Sequence, residues 1–354
     1  MIYFTSMWIP ADRMASSKAP MDIYSICKSE GFKNIELHNC PYKLRKFIEP
    51  FWHSKLVPAQ WALKTAKVKK GDTVFYQYPM YFARPAHVEA IKKLNAKGVK
   101  TVVLIHDLET KRYEDLLSTE GNSSAFDELA FINSFDKIIC HNPVMADYLE
   151  LKGINREKIV SLGLFDYLLE GVKQKETSAK AEETSVAIAG NLSPEKCGYI
   201  YEFAKNNPEL HINLYGVNYD DGANLANVSY CGSFEPEQLP LALSGDYGII
   251  WDGPTSRTCD GVTGKYLTIN NPHKTSAYLA SGRPVICWSE SAISGIIREY
   301  DAGITVDSLD NLTEVLASIT DDRYETLKQG AAKLQEKVLN GAFTKAALKN
   351  AGVL

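Results

Sequence analysis

Lys274 carries the clearest chemistry in the chain. It belongs to Asn271-Pro272-His273-Lys274, which opens a predicted helix over residues 272–282. Small residues Ser276, Ala277, Ala280 and Ser281 follow, and Gly282 stops the helix. Pro272 suits a first helical turn, where no backbone N–H is needed. Unpaired N–H groups and the dipole at such an end attract anions, and the ammonium adds a full charge. A diphosphate is the natural ligand of that combination. The plainer reading is a capped helix with a surface lysine. Upstream, the strand-like run Gly248-Ile249-Ile250-Trp251 ends in Asp252-Gly253, before a long Gly- and Thr-rich loop. A carboxylate there can accept hydrogen bonds from sugar hydroxyls, or cap the loop.

A second pair is His106-Asp107, at the end of the most apolar strand candidate, residues 99–107. His and Asp are the usual groups for taking a proton from an attacking hydroxyl. Asp107 is read as the base, with His106 orienting or binding. The competing reading has Asp107 capping the next helix and His106 packing. Near the start, Arg13, Ser16, Ser17 and Lys18 form a Ser/Lys-rich turn before a helix. That turn either closes over a diphosphate or caps the helix.

Metal, Walker-loop and serine-nucleophile chemistries lack their residues. No Asp-x-Asp sits at a strand end, and the pairs Asp220-Asp221 and Asp321-Asp322 fall in polar loops. A leaving group would then be neutralised by lysines and helix N–H groups, with no metal and no cofactor. Gly264-Lys265 lacks the glycine spacing and following Ser/Thr of a Walker loop, and no Gly-x-Ser-x-Gly occurs. The seven cysteines are scattered with no CxxC pair, which argues against structural zinc and a disulfide framework.

The elements that hold these residues repeat one pattern twice. Strand candidates at 2–6, 34–38, 73–78, 99–107, 137–142 and 158–164 alternate with helices such as 20–30, 54–68 and 86–97. A polar run closes residues 166–184, a linker signal. Strands then resume at 184–191, 211–216, 228–232, 247–253, 284–288 and 303–306, again with helices between. Short apolar strands separated by helices indicate doubly wound α/β domains. The expected division is a Rossmann-like domain over 1–165, a linker over 166–184, a second Rossmann-like domain over 185–335, and a C-terminal helix over 336–354 packing back towards the first. Ligands in such sheets sit beyond the carboxyl ends of the strands.

Composition bounds the rest. The chain has 354 residues, 45% hydrophobic and 23% charged, as in a folded globular protein of about two domains. No stretch reaches the ~18 apolar residues of a membrane span, and the N-terminus lacks a signal-peptide pattern. With an odd cysteine count, this points to the cytoplasm. The net charge of -4 hides an asymmetry: residues 1–165 hold 23 Lys+Arg and 18 Asp+Glu, so the remainder is acidic. A basic front half suits an anionic partner such as the inner membrane face, or is a solvated mixed surface. No nucleic-acid motif or strongly basic domain is present.

Residues 245–284 resemble the C-terminal domain of bacterial GT-B glycosyltransferases of the β-1,6-galactofuranosyltransferase family. The pattern is WDG at 251–253, a Cys-containing loop, then YL-x-x-NNPHK-x-S-x-YLA-x-G-x-PV over 266–285. The glucosyltransferases that extend GlcNAc on serine-rich-repeat adhesins are similar, more distantly. VVLIHDLE at 102–109 and AGNLSPEK at 189–196 fall where that family has its HD and GN loops. The resemblance implies a GT-B fold, two Rossmann-like domains facing a cleft. It implies that Lys274, with Ser276, holds the donor diphosphate, and that Gly190 and Asn191 lie under the nucleotide. Asp252 would face the donor sugar, and Glu290 would hold the ribose hydroxyls.

The expected function is inverting, metal-independent transfer of a hexosyl unit, galactofuranose by the family label, from a UDP-sugar. The acceptor is a hydroxyl of a cell-surface glycan, lipid-linked or protein-linked, in polysaccharide biosynthesis. UDP-glucose or UDP-galactose is the competing donor. A non-catalytic glycan-binding partner of a transferase and a sugar-nucleotide epimerase are the competing functions. A homo-oligomer is compatible with the sequence.

Overall fold

Val102, Val103, Leu104 and Ile105 are fully buried, as a strand covered on both faces requires. They form β4 (Lys100–Ile105) in a sheet with β1 (Ile2–Met7), β2 (Lys33–Leu37), β3 (Thr73–Tyr78), β5 (Lys137–Cys140) and β6 (Ile159–Ser161). The order is β2-β1-β3-β4-β5-β6, and the paired strands are parallel. The computed structural model describes residues 1–7, 15–113, 126–169 and 184–354, without the side chains of residues 15, 16 and 223.

A second six-stranded parallel sheet holds β7 (Ser185–Asn191), β8 (His211–Val217), β9 (Val228–Tyr230), β10 (Tyr247–Ile250), β11 (Val285–Trp288) and β12 (Gly303–Val306). Its order, β12-β11-β10-β7-β8-β9, is the Rossmann order, with its reversal between β7 and β10. All twelve expected strands are present, several of them shorter than expected.

The two faces of this sheet are packed differently. Val186 and Ile188 point into a core with Tyr199, Phe203 and Trp251. Ala187 and Ala189 point to the other face, against Tyr278 and Leu279. Small residues on that face let the helix His273–Ala280 lie close. A Cβ at Gly248 would sit 2.2 Å from the Tyr278 ring. β7 and β10 pair only at Val186–Tyr247 and Ala187–Gly248. Further along β7, the Ala189 N–H donates to the Tyr278 hydroxyl at 2.7 Å.

The chain divides into two compact units. One runs to Leu162 from the N-terminus and includes Thr344–Leu354; the other spans Gly163–Phe343 and includes the start of the helix Ala15–Ser29, up to Ala19. In the first unit, Lys100 Nζ donates to the carbonyls of Ala351 and Gly352. Of the linker expected over 166–184, residues 170–183 lie outside the described residues. Its start is no solvated tether: Asp166 and Tyr167 are buried in the second unit, and Tyr167 N–H donates to the Val338 carbonyl.

Candidate functional site

In a Rossmann sheet, ligands bind where the strand order reverses. Here that point lies beyond the ends of β7 and β10, which are followed by Leu192 and Trp251-Asp252-Gly253. Trp251 is fully buried and donates its indole N–H to the Thr255 carbonyl. Gly253 has φ +128°, and a Cβ there would meet the Asp260 carbonyl at 2.7 Å. Its N–H donates to the Lys196 carbonyl, and its own carbonyl accepts from Tyr199 N–H. The WDG turn is thereby clamped to residues 196–199, and Asp252 is held between them and the helix His273–Ala280.

Lys274 is the second residue of that helix. Its Nζ donates to the Trp251 carbonyl at 2.7 Å and to Asp252 Oδ1 at 2.8 Å. Its side chain is only 11% exposed. Burial opposes the charge, but the Asp252 carboxylate outweighs it and holds the Lys274 pKa above its ordinary value. Asp252 Oδ2 lies 3.8 Å from Lys196 Nζ. Two cations thus meet one carboxylate at the switch point, leaving net positive charge for an anionic ligand. Asn270 Oδ1 and Thr275 Oγ1, on either side of the Lys274 turn, are buried with no hydrogen-bond partner among the described residues. His273, beside Lys274, stacks on Tyr167 at 5.0 Å, and burial lowers its pKa to about 4.

Of the other expected residues, Asp252 alone is seen to meet Lys274. Gly190 is exposed at the end of β7 with φ +133°. Gly216 beside it has no room for a Cβ, which would fall 1.8 Å from the Gly190 carbonyl. Asn191 Oδ1 accepts from Ser193 N–H at 3.1 Å and from Asn218 Nδ2 at 2.9 Å, so it shapes the turn after β7. Ser276 is 1% exposed and donates to the Phe165 carbonyl at 2.6 Å. Two residues along a helix is a rotation of about 200°, so its hydroxyl and the Lys274 amine face different ways. Glu290 is exposed in the turn after β11. Ser17 is buried, and Lys18 donates to the Leu168 carbonyl at 2.6 Å over the Tyr167 ring. Arg13 and the Ser16 side chain lie outside the described residues.

Sequence reasoning does not single out Lys196, although it is the one cation in residues 189–196. It also misses Tyr278 as the post that seats Lys274, four residues and about one turn away on the same helix face.

In the first unit, His106 follows β4 and Asp107 follows it. His106 Nε2 lies 2.9 Å from Gln77 Oε1. Gln77 Nε2 donates to the Thr5 carbonyl, which fixes the amide orientation. The oxygen therefore faces His106, so Nε2 donates to it. The Asp107 carboxylate instead accepts from Arg112 at 3.1 Å. The buried Glu128, which the sequence does not mark, accepts from Tyr78 OH at 2.7 Å and from the N–H groups of Glu109 and Thr110. It pins the segment just after the His106-Asp107 pair. Among the described residues, no three His, Cys, Asp or Glu side chains cluster as metal ligands.

The glucosyltransferase 3-like N-terminal domain family matches residues 1–164, and its C-terminal counterpart matches residues 186–351. The chain is 33% identical over 281 residues to the β-1,6-galactofuranosyltransferase WbbI of Escherichia coli K12, covering 78% of each chain. It is 27% identical to glucosyltransferase 3 of Streptococcus gordonii, over 81% of this chain and 80% of that one. Among solved structures, sucrose-phosphate synthase from Thermosynechococcus elongatus superposes with a TM-score of 0.63 over 100% of this chain and 99% of that one, at 13% identity. That likeness agrees with the GT-B class of the two Rossmann-like units. The chain belongs to the glucosyltransferase 3-like family of glycosyltransferases.

Proposed function

We propose that the protein transfers galactofuranose from UDP-galactofuranose to a hydroxyl of a cell-surface glycan, lipid-linked or protein-linked, with inversion and without a metal or cofactor. The carrying observation is the positive group at the switch point: Lys274 at 2.8 Å and Lys196 at 3.8 Å from Asp252. The donor diphosphate takes its place against these two ammonium groups and the start of the helix His273–Ala280. Asp252 keeps Lys274 charged and accepts from the sugar. Glu290, the exposed acid after β11, takes the ribose hydroxyls.

The acceptor hydroxyl gives its proton to the His106-Asp107 pair as its oxygen attacks the anomeric carbon. The bond from that carbon to the diphosphate breaks, and its electron pair leaves with UDP. Fixed cations stabilise that charge as it develops. The galactofuranosyl donor is supported by the name of the relative at 33% identity. UDP-glucose is the second reading, favoured by the family's name and by the streptococcal relative. We propose that the protein works at the cytoplasmic face of the membrane. Among the described residues no helix is long and apolar enough to cross a membrane.

The test is UDP release from UDP-galactofuranose, UDP-galactose and UDP-glucose, each with and without a glycan acceptor. The expected result is acceptor-dependent release, fastest with UDP-galactofuranose, unchanged by a chelator, and a product of inverted anomeric configuration by NMR. Preference for UDP-glucose would replace the donor and keep the transferase. Isomerised sugar nucleotide without acceptor would mean an epimerase.

A further inference from the structure

Residues 41–70 contain eight Lys or Arg and one acid, Glu49. The helix Arg45–Phe51 within them has no buried residue. Its two phenylalanines stay outside, Phe47 81% exposed and Phe51 56%, as do Leu44 and Tyr42 just before it, at 43% and 84%. Leu44, Phe47 and Phe51 are spaced i, i+3, i+7, so they form one stripe along the helix. Lys43 and Lys46 run beside it, also three residues apart, both exposed. Arg45 lies over the Tyr42 ring at 5.8 Å. The single acid, Glu49, is met by Arg45 at 3.8 Å and His53 at 3.9 Å.

This segment is anchored from its far end. Trp52 donates its indole N–H to the His38 carbonyl, and His53 Nε2 lies 2.9 Å from Asn39 Oδ1. Val57 and Trp61 are buried in the following helix, Val57–Lys64. A short stretch is therefore fastened to the first unit while its aromatic and basic side chains face outward. An exposed apolar stripe this dense marks a binding surface.

We propose that this face docks on an anionic lipid bilayer. Aromatic and aliphatic side chains beside Lys and Arg match the boundary between acyl chains and negative headgroups. Charge favours lipid over a second copy of the chain, because a two-fold interface would set the same cations against each other. The surface stands on these residues alone. It rests on the proposed function only for its purpose, to bring the enzyme to lipid-linked acceptors.

The experiment is flotation with vesicles of phosphatidylcholine alone and of equal parts phosphatidylcholine and phosphatidylglycerol. The full chain is compared with Phe47→Ser/Phe51→Ser and with Lys43→Glu/Lys46→Glu. Wild type is expected to float with the anionic vesicles, less at high salt, and poorly with neutral ones. Each double variant should bind roughly tenfold or more weakly. Both should keep wild-type melting temperatures and UDP affinity, which separates this surface from the donor site. Absence of binding to anionic vesicles, or variants that float like wild type, would overturn the proposal. So would a wild-type dimer that either variant dissolves without any lipid affinity, which would make the face a self-interface.

Discussion

Which group takes the acceptor proton is decided among a few atoms. Asp107 shares its carboxylate with Arg112 at 3.1 Å, whereas His106 is held through Nε2 by Gln77. These bonds favour His106 as the base of the proposed transfer, with Asp107 partnered by the Arg112 side chain. His106→Ala should lower kcat by about 10²–10⁴-fold, the range of general-base loss, and Asp107→Asn by much less. Gln77→Leu, which removes the bond that orients the ring, should lower kcat with KM little changed. Equal losses from His106→Ala and Asp107→Asn would return the base to Asp107. At this scale types and motif single out Lys274 and Asp252, but not that the two pair at 2.8 Å. Nor does the motif show that Ser276 turns away from the Lys274 amine, which the helical period alone implies. Lys196 goes unread because nothing local marks a lysine that reaches a carboxylate 56 residues on.

The helix His273–Ala280 is the element that places Lys274 in the proposed donor site. It seats on a sheet face reduced to Ala187, Ala189 and Gly248, with the Tyr278 ring over Gly248. Gly248→Ala puts a methyl group 2.2 Å from that ring, where no flexible side-chain end can yield. The expected cost is about 1–3 kcal/mol of stability, as for other overpacked cores. The helix must shift, so UDP affinity should fall with it; melting and titration of the one variant check both. Wild-type affinity at reduced stability would detach the helix position from the site. The strands are readable because parallel strands buried on both faces are apolar runs. Helix limits are less so. The helix expected over 54–68 is Val57–Lys64, preceded by the helix Arg45–Phe51, which holds Pro50, and a π-helical stretch, Trp52–Leu56. The helix Gly261–Tyr266 is hidden in a loop rich in Gly and Thr.

Across the whole molecule, two α/β units of like plan carry different chemistry. The first holds the His106-Asp107 pair and the basic, aromatic segment that accounts for its positive charge. The second holds the lysine–carboxylate cluster at a Rossmann reversal. The repeated strand–helix pattern makes this plan legible from sequence. The extent of each unit is not, because Asp166 and Tyr167 stand beside a polar run yet are buried, a fact of tertiary packing alone.

The most direct test of the donor site is calorimetric titration of UDP into wild type, Lys274→Ala and Lys196→Ala. Removing Lys274 strands a buried carboxylate at a stability cost of about 3–5 kcal/mol, so each protein is titrated well below its own melting point. Lys196, 31% exposed, can be lost with the fold intact. The account predicts that wild type binds UDP and that each loss weakens it by about 1.5–3 kcal/mol, as for a hydrogen bond to a charged group. Folded variants that bind UDP as tightly as wild type would contradict it, and the diphosphate would have to be sought elsewhere.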